Sequence, residues 1–427
     1  MKQYDREWSA LENEIKARGA DSKKIIEALK ELYTLYAPDV CEWLAKLYAS
    51  EIGGFYYSNS ARDNDTVEMN GVYYKLLPDI ESTCQATGFL ESAGLMHHLN
   101  YDYMQLPLKM REGIARFVIS CEDEETGYFY HPQWPKSLVD SKPNRRGRDL
   151  MWAGGLAERF DFKLPYPTAY ERLKSVSDSD EAKSDSKLPE YLLSKSAFLK
   201  YLNSFDWDYK AYPAGNQLAA QVGQIEAAGL INVCIDFLND IQNKETGLWG
   251  KLGGYDAING YLKTCSVYVC SKTLIPNADK AAIAAMDCIV SEGEIPAVTY
   301  QYNAWYNVRN IVENLRASCT DAGEKLAKEI SQSLLAKAPE AIKATRDKMS
   351  AFKKHDGSFS YMPKESSATS QGMPVAIYKT NEGDVNATCI SIGGVVNNLY
   401  RALDLTWFKV PVFGSDEYER FLTSLKL

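Results

Sequence analysis

Polar and apolar positions along this chain repeat at helical rather than strand spacing. "DSKKIIEALKELYTLY" opens on capping residues and then sets apolar side chains at i, i+3 and i+4, one face of an amphipathic helix. "APDVCEWLAKLYASEI" follows as a second one. No series of alternating β-branched runs is separated by hairpin turns, so strands are predicted to be minor. A longer period lies over the helices. An amphipathic helix ends, a Gly-aromatic turn and a polar loop follow, and a helix rich in small residues begins. "EIGGFYY" leads to "DIESTCQATGFLESAGL", and "EDEETGYFYHPQW" leads to "RGRDLMWAGGLAERF". "NKETGLWGKLGG" leads to "YDAINGYLKTCSVYVC", and "KKHDGSFSYMP" leads to "GDVNATCISIGGVVNNLYRAL". "YPAGNQLAAQVGQIEAAGLI" and "EGEIPAVTYQYNAWYNVRNIVENL" are weaker copies of the second helix. The matching glycines Gly54, Gly127, Gly247 and Gly357 are spaced as one or two units of roughly 55–70 residues, the size of a two-helix repeat with a long loop.

The six second helices mix Ala, Gly, Ser and Asn with apolar residues and have no solvent face, the composition of buried helices. Six buried helices inside six amphipathic ones make a closed double ring. The predicted fold class is therefore all-α, a (α/α)6 toroid of six outer–inner helix pairs. Residues 1–38 are expected to form a helical N-terminal extension and 39–427 the toroid. "KSVSDSDEAKSDSKLPE" (174–190), rich in Ser, Asp and Lys, reads as a flexible polar insertion. The Gly-aromatic turn followed by Asp-aliphatic-x-x-Thr resembles the repeat of the α/α-toroid families over about residues 39–405. These include terpenoid cyclases, protein prenyltransferases, and (α/α)6 glycoside hydrolases and polysaccharide lyases. The resemblance implies an architecture and leaves the chemistry to the site residues.

Charge and cysteine usage narrow the classes. A formal net charge of −9 argues against nucleic acid or an anionic membrane as the main partner. The nine cysteines are scattered with no CxxC pair, the pattern of reduced thiols in a cytoplasmic protein. The N-terminus lacks the apolar core of a secretory signal, and no apolar run reaches membrane-span length. A cyclase of this type requires an acid-rich motif, and "RDND" (62–65) does not match it. The four histidines lack the Asp and Cys companions of a prenyltransferase zinc site, so neither metal nor another cofactor is expected.

Carbohydrate chemistry suits the residues better. The aromatics of the loops, Phe55, Tyr56, Tyr57, Tyr128, Tyr130, Trp134, Trp249 and Tyr361, could stack sugar rings. Amides near the starts of the buried helices, Gln85, Gln217, Asn259, Asn303 and Asn386, could bind hydroxyls of an oligosaccharide substrate. Hydrolysis needs two carboxylates flanking the scissile bond. Asp79 and Asp384 sit where helix N-caps belong. Glu81 stands where the echoing copy has Asn386, so the repeat does not demand a carboxylate there. Glu81 and Asp149 are the expected catalytic pair, with Asp384 and Asp256 in reserve. β-Elimination from a uronic acid is the alternative. His131 or Tyr130 would then be the base, Arg145, Arg146 or Arg148 the carboxylate clamp, and Lys263 a further cation for the anion. A toroid that only binds a glycan or peptide would use the same aromatics and amides.

Overall fold

A computed structural model describes residues 4–176, 188–405 and 410–427. Helices dominate it, and the strands among these residues form three antiparallel two-stranded hairpins. The fold class is all-α, as the periodicity predicts. Six helical segments pack in chain order: Ile80–Ser92, Pro143–Arg159, Ala211–Ala227, Gly254–Ser271, Thr299–Ala317, and a run from Val385 to Ala402 with a π-helical turn at Ile390–Gly394. The last of these also packs against the first. Neighbours run in the same direction, because bonds join equivalent levels. Asn303 bonds Asn259 while Asn310 reaches Cys265. Arg309 bonds Asn398 while Arg316 reaches Asp404. Small residues permit the close approach. A Cβ on Gly147 would lie 2.3 Å from the Ala220 carbonyl oxygen, and one on Gly215 2.7 Å from Thr264 Oγ1.

The echo between "DIESTC" and "DVNATC" has a structural cause. Asp79 and Asp384 are extended N-caps that accept from Ser82 N–H (2.9 Å) and Ala387 N–H (2.7 Å). One turn later Thr83 and Thr388 accept the backbone N–H of Phe55 and Phe359, each at 2.9 Å. Each Asp N–H returns a bond to the carbonyl of the same aromatic residue. The Asp-x-x-x-Thr pair thus fastens a helix start to the preceding aromatic turn. Gly127, Gly247 and Gly357 adopt φ near +70 to +80°, and their equivalent in the first copy is Gly53 (φ +97°), not Gly54. Two residues after each of the four comes Phe55, Phe129, Trp249 or Phe359, all buried. Thr388→Val leaves a buried N–H of Phe359 without an acceptor, an expected loss of about 1–3 kcal/mol by urea denaturation. Thr388→Ser, which keeps the oxygen, is expected to recover most of it.

The N-terminal helices Asp5–Ala17 and Ser22–Tyr33 are not an appendage. Trp8, Leu11, Ile25 and Leu29 belong to the same core as the six helices, and Ser22–Tyr33 packs on Ala338–Ser350. No core boundary falls at residue 38. Of the 174–190 insertion, residues 177–187 lie outside the described residues. A second, smaller core gathers Tyr57, Trp134, Val67, Tyr74 and Met373 around the hairpins Thr66–Met69/Val72–Lys75 and Thr369–Ser370/Met373–Pro374. The turn of the latter hairpin reaches the helix starts, where Gln371 Oε1 accepts from Asn144 (3.0 Å) and Asn216 (3.0 Å).

Candidate functional site

All six helical segments contribute side chains to a cavity of about 540 Å³, with Tyr361 and Gln371 added from loops. From the N-terminal halves of the helices it is lined by Glu81, Gln85, Arg148, Tyr212, Asn259, Asn303 and Asn386, and from the middle of Gly254–Ser271 by Lys263. Seven of these are sequence-predicted site residues; Tyr212 is not. Glu81 is the one carboxylate lining the cavity among the described residues, against two cations, Arg148 and Lys263.

Glu81 and Asp149 do come together, but through Arg145. The guanidinium, 0% exposed, donates Nη1–H to Glu81 Oε2 (2.6 Å) and Nε–H to Asp149 Oδ2 (3.0 Å), and a second N–H engages Asp149 Oδ1. Its faces lie over Trp134 (5.5 Å) and Trp152 (5.3 Å). Burial opposes the Arg145 charge, yet Asp149 and Glu81 outweigh it and raise its pKa. Burial pushes Asp149 up to about 7, while Arg145 pulls it down. Asp149 does not line the cavity, and both its oxygens face Arg145. The expected catalytic pair is therefore an ion triad with one member, Glu81, at the cavity wall. Ser370 also donates to Glu81, and Gln85 Nε2 bridges Glu81 (3.3 Å) and Asn386 (3.2 Å).

The arginine run divides by helical phase. Arg145 points inward, and Arg146 turns outward to Asp140 (3.1 Å) and the Tyr128 ring (4.5 Å). Arg148 reaches the cavity, bonding Asn216 (2.8 Å) while its buried Nε has no partner among the described residues. Lys263 has its exposed surface on the cavity and no hydrogen bond among the described residues. Burial, then Arg148, lower its pKa to about 7. Burial raises the pKa of Tyr361, which keeps the phenol protonated. Tyr212, Tyr361 and Glu81 all act electrostatically on Arg148, which places the four groups together.

The other expected residues lie elsewhere. His131 is buried between the Pro78 carbonyl (2.5 Å to Nε2) and the Gln133 N–H (3.2 Å to Nδ1). Both ring nitrogens are engaged, and burial lowers its pKa to about 4, so it is neutral and no base for the cavity. Asp384 spends its oxygens on backbone N–H groups of Ala387 and Tyr361 (2.9 Å). Asp256 is exposed at a helix start. Tyr57 and Trp134 fill the small core, and Trp134 Nε1 donates to the Pro374 carbonyl (3.2 Å). Tyr56 packs between the two cores, and Tyr130 donates to Asp140 (2.7 Å). Trp249 is buried with its Nε1 on the Leu238 carbonyl (2.9 Å). Gln217 lies off the cavity lining. Of the loop aromatics Tyr361 does line the cavity, and the other aromatic faces come from the helical residues Trp152, Tyr212, Tyr302 and Tyr306. The i, i+4 pair Tyr302/Tyr306 beside Asn303 and Asn310 carried a readable signal, a polar-aromatic stripe on a buried helix.

Among the described residues no three His, Cys, Asp or Glu side chains gather as a metal-ligand set, and no helix is long and apolar enough to cross a membrane. The chain matches no known family model, no curated protein and no solved structure.

Proposed function

We propose that this chain is a six-hairpin α/α toroid whose axial cavity binds an acidic sugar and cleaves its glycosidic bond by β-elimination. The ordered packing of six parallel helices, with the last against the first, supports the toroid. The observation that carries the chemistry is the charge of the lining: two cations and tyrosines with amides, while Asp149 is held behind Arg145. Among the described residues the lining offers no second carboxylate for hydrolysis by a pair.

In this reading Arg148 and the amides of Asn259, Asn303 and Asn386 hold the uronate carboxylate and stabilise the charge that develops on it. Lys263 Nζ takes the proton from C5, next to the carboxylate. The C–H electron pair becomes the C4=C5 double bond and the C4–O4 bond breaks. Tyr361 donates its phenolic proton to the departing oxygen. Proton exchange with solvent resets both side chains. Glu81 positions Gln85 rather than reacting.

The test is a screen of uronate-containing oligosaccharides for the ultraviolet absorbance of the unsaturated product. Substrate deuterated at C5 should react more slowly, and labelled water should leave no oxygen in the new chain end. Saturated products carrying solvent oxygen would sink elimination in favour of hydrolysis, and Glu81→Gln would then be expected to lose turnover.

A further inference from the structure

The cavity changes character along its length. Because neighbouring helices are parallel, residue number along each helix measures depth below the N-terminal mouth. On two of the helices a cation comes first, Arg148 on Pro143–Arg159 and Lys263 on Gly254–Ser271. Met151 follows Arg148 by about one turn and Val269 follows Lys263 by nearly two, and Val222 of the helix between them and Tyr306, about one turn after Asn303, also line the cavity. Met151 and Val269 are 41% and 43% exposed although they belong to helices otherwise packed in the core. Ser266 and Asn310 are the polar exceptions. Apolar side chains left uncovered beside a cluster of cations define two halves of one site with opposite solvation. An extended polysaccharide, hydroxylated throughout, would leave this wall unmatched.

We infer that the lower half is an apolar subsite, and that the ligand is an amphipathic acidic glycoside: an anionic sugar at Arg148 and Lys263 carrying an alkyl or aryl group directed toward Val269. This rests on the acidic-sugar reading above for the head group and on the wall alone for the tail. From Lys263 to Val269 the helix rises roughly 9 Å, which limits the tail that can be covered.

The test is calorimetric binding of methyl, butyl, hexyl and octyl β-glucuronides, with octyl glucoside as a neutral control. Affinity is expected to rise about fourfold per added methylene and then level off. Val269→Asn and Met151→Gln, which add no charge beside Arg148 and Lys263, should each weaken octyl glucuronide binding toward that of the methyl compound. Equal binding of all four glucuronides would overturn the apolar subsite while leaving the acidic-sugar reading intact. Failure of every glucuronide with tail-dependent binding of octyl glucoside would do the reverse. Binding of none of the five overturns both.

Discussion

Arg145→Met is expected to cost the protein about 3–5 kcal/mol, the largest loss from a single substitution outside the apolar core. Removing one member of a buried ion set leaves the remaining charges without compensation. Here it leaves two, because Arg145 is bonded to Glu81 and Asp149, which are 2% and 1% exposed. Methionine retains the length of the side chain, so the contacts with Trp134 and Trp152 are partly kept and the loss is mainly electrostatic. Adding Glu81→Gln and Asp149→Asn removes the orphaned charges and is expected to restore most of the stability. The measurement is the urea midpoint of the single and triple variants at constant m-value. A single variant as stable as wild type would mean that water reaches the site and the triad is not buried. The pH dependence has a definite sign. Carboxyls with a folded pKa above their unfolded value are favoured by protonation, so stability gained at low pH is lost as pH rises through the folded value. Burial raises Asp149 even with Arg145 present, and without it the opposing pull is gone. The Arg145→Met deficit should therefore shrink as pH falls from 7 toward 4.

What the sequence disclosed and what it hid follow from the range of the interactions. The helix starts at Asp79 and Asp384 were legible because a cap and its Thr partner are a local chemistry that repeats when the structure repeats. The arginine run stood out in the sequence, but its division by helical phase into Arg145, Arg146 and Arg148 was not drawn there. Arg145 and Asp149 stand at i, i+4 on one helix, a spacing that by itself favours an ion pair and argues against treating Asp149 as a free catalytic acid. The loop aromatics misled for a related reason. Phe55, Phe129, Trp249 and Phe359 share one register after a left-handed glycine, and a residue fixed by the repeat is there to fill the core. Tyr212 lies in the first turn of a weak copy and carried no such mark. Gln371 was out of reach altogether. Its place at the cavity depends on a hairpin whose partners, Asn144 and Asn216, are remote in sequence.

Lys263→Met is expected to raise stability and abolish turnover together. An ammonium buried in the cavity with no bonded partner among the described residues is poorly solvated, and Arg148 adds repulsion, so the folded protein binds the proton less tightly than the unfolded chain does. The folded pKa is lowered to about 7, against an unfolded value of about 10.4. Over that window the unfolded state holds more protons, so the lysine destabilises the fold below about 10.4, fully so by about 7. Methionine removes the penalty. The variant should melt a few degrees above wild type at pH 7, and the difference should shrink as pH rises through about 7 to 10.4 and vanish above that, where the amine is neutral in both states. The lowered pKa is also what a general base working near neutrality requires. In wild type kcat/KM should rise with pH and level off above about 7, the pKa of the free protein. Lys263→Met should lose about 10²–10⁴ in turnover, the usual contribution of a positioned base. Lys263→Arg keeps the charge but cannot deprotonate, so it should still bind the acidic sugar while remaining inactive. A variant more stable than wild type and equally active would remove Lys263 from the chemistry and leave Tyr212 as the group to test.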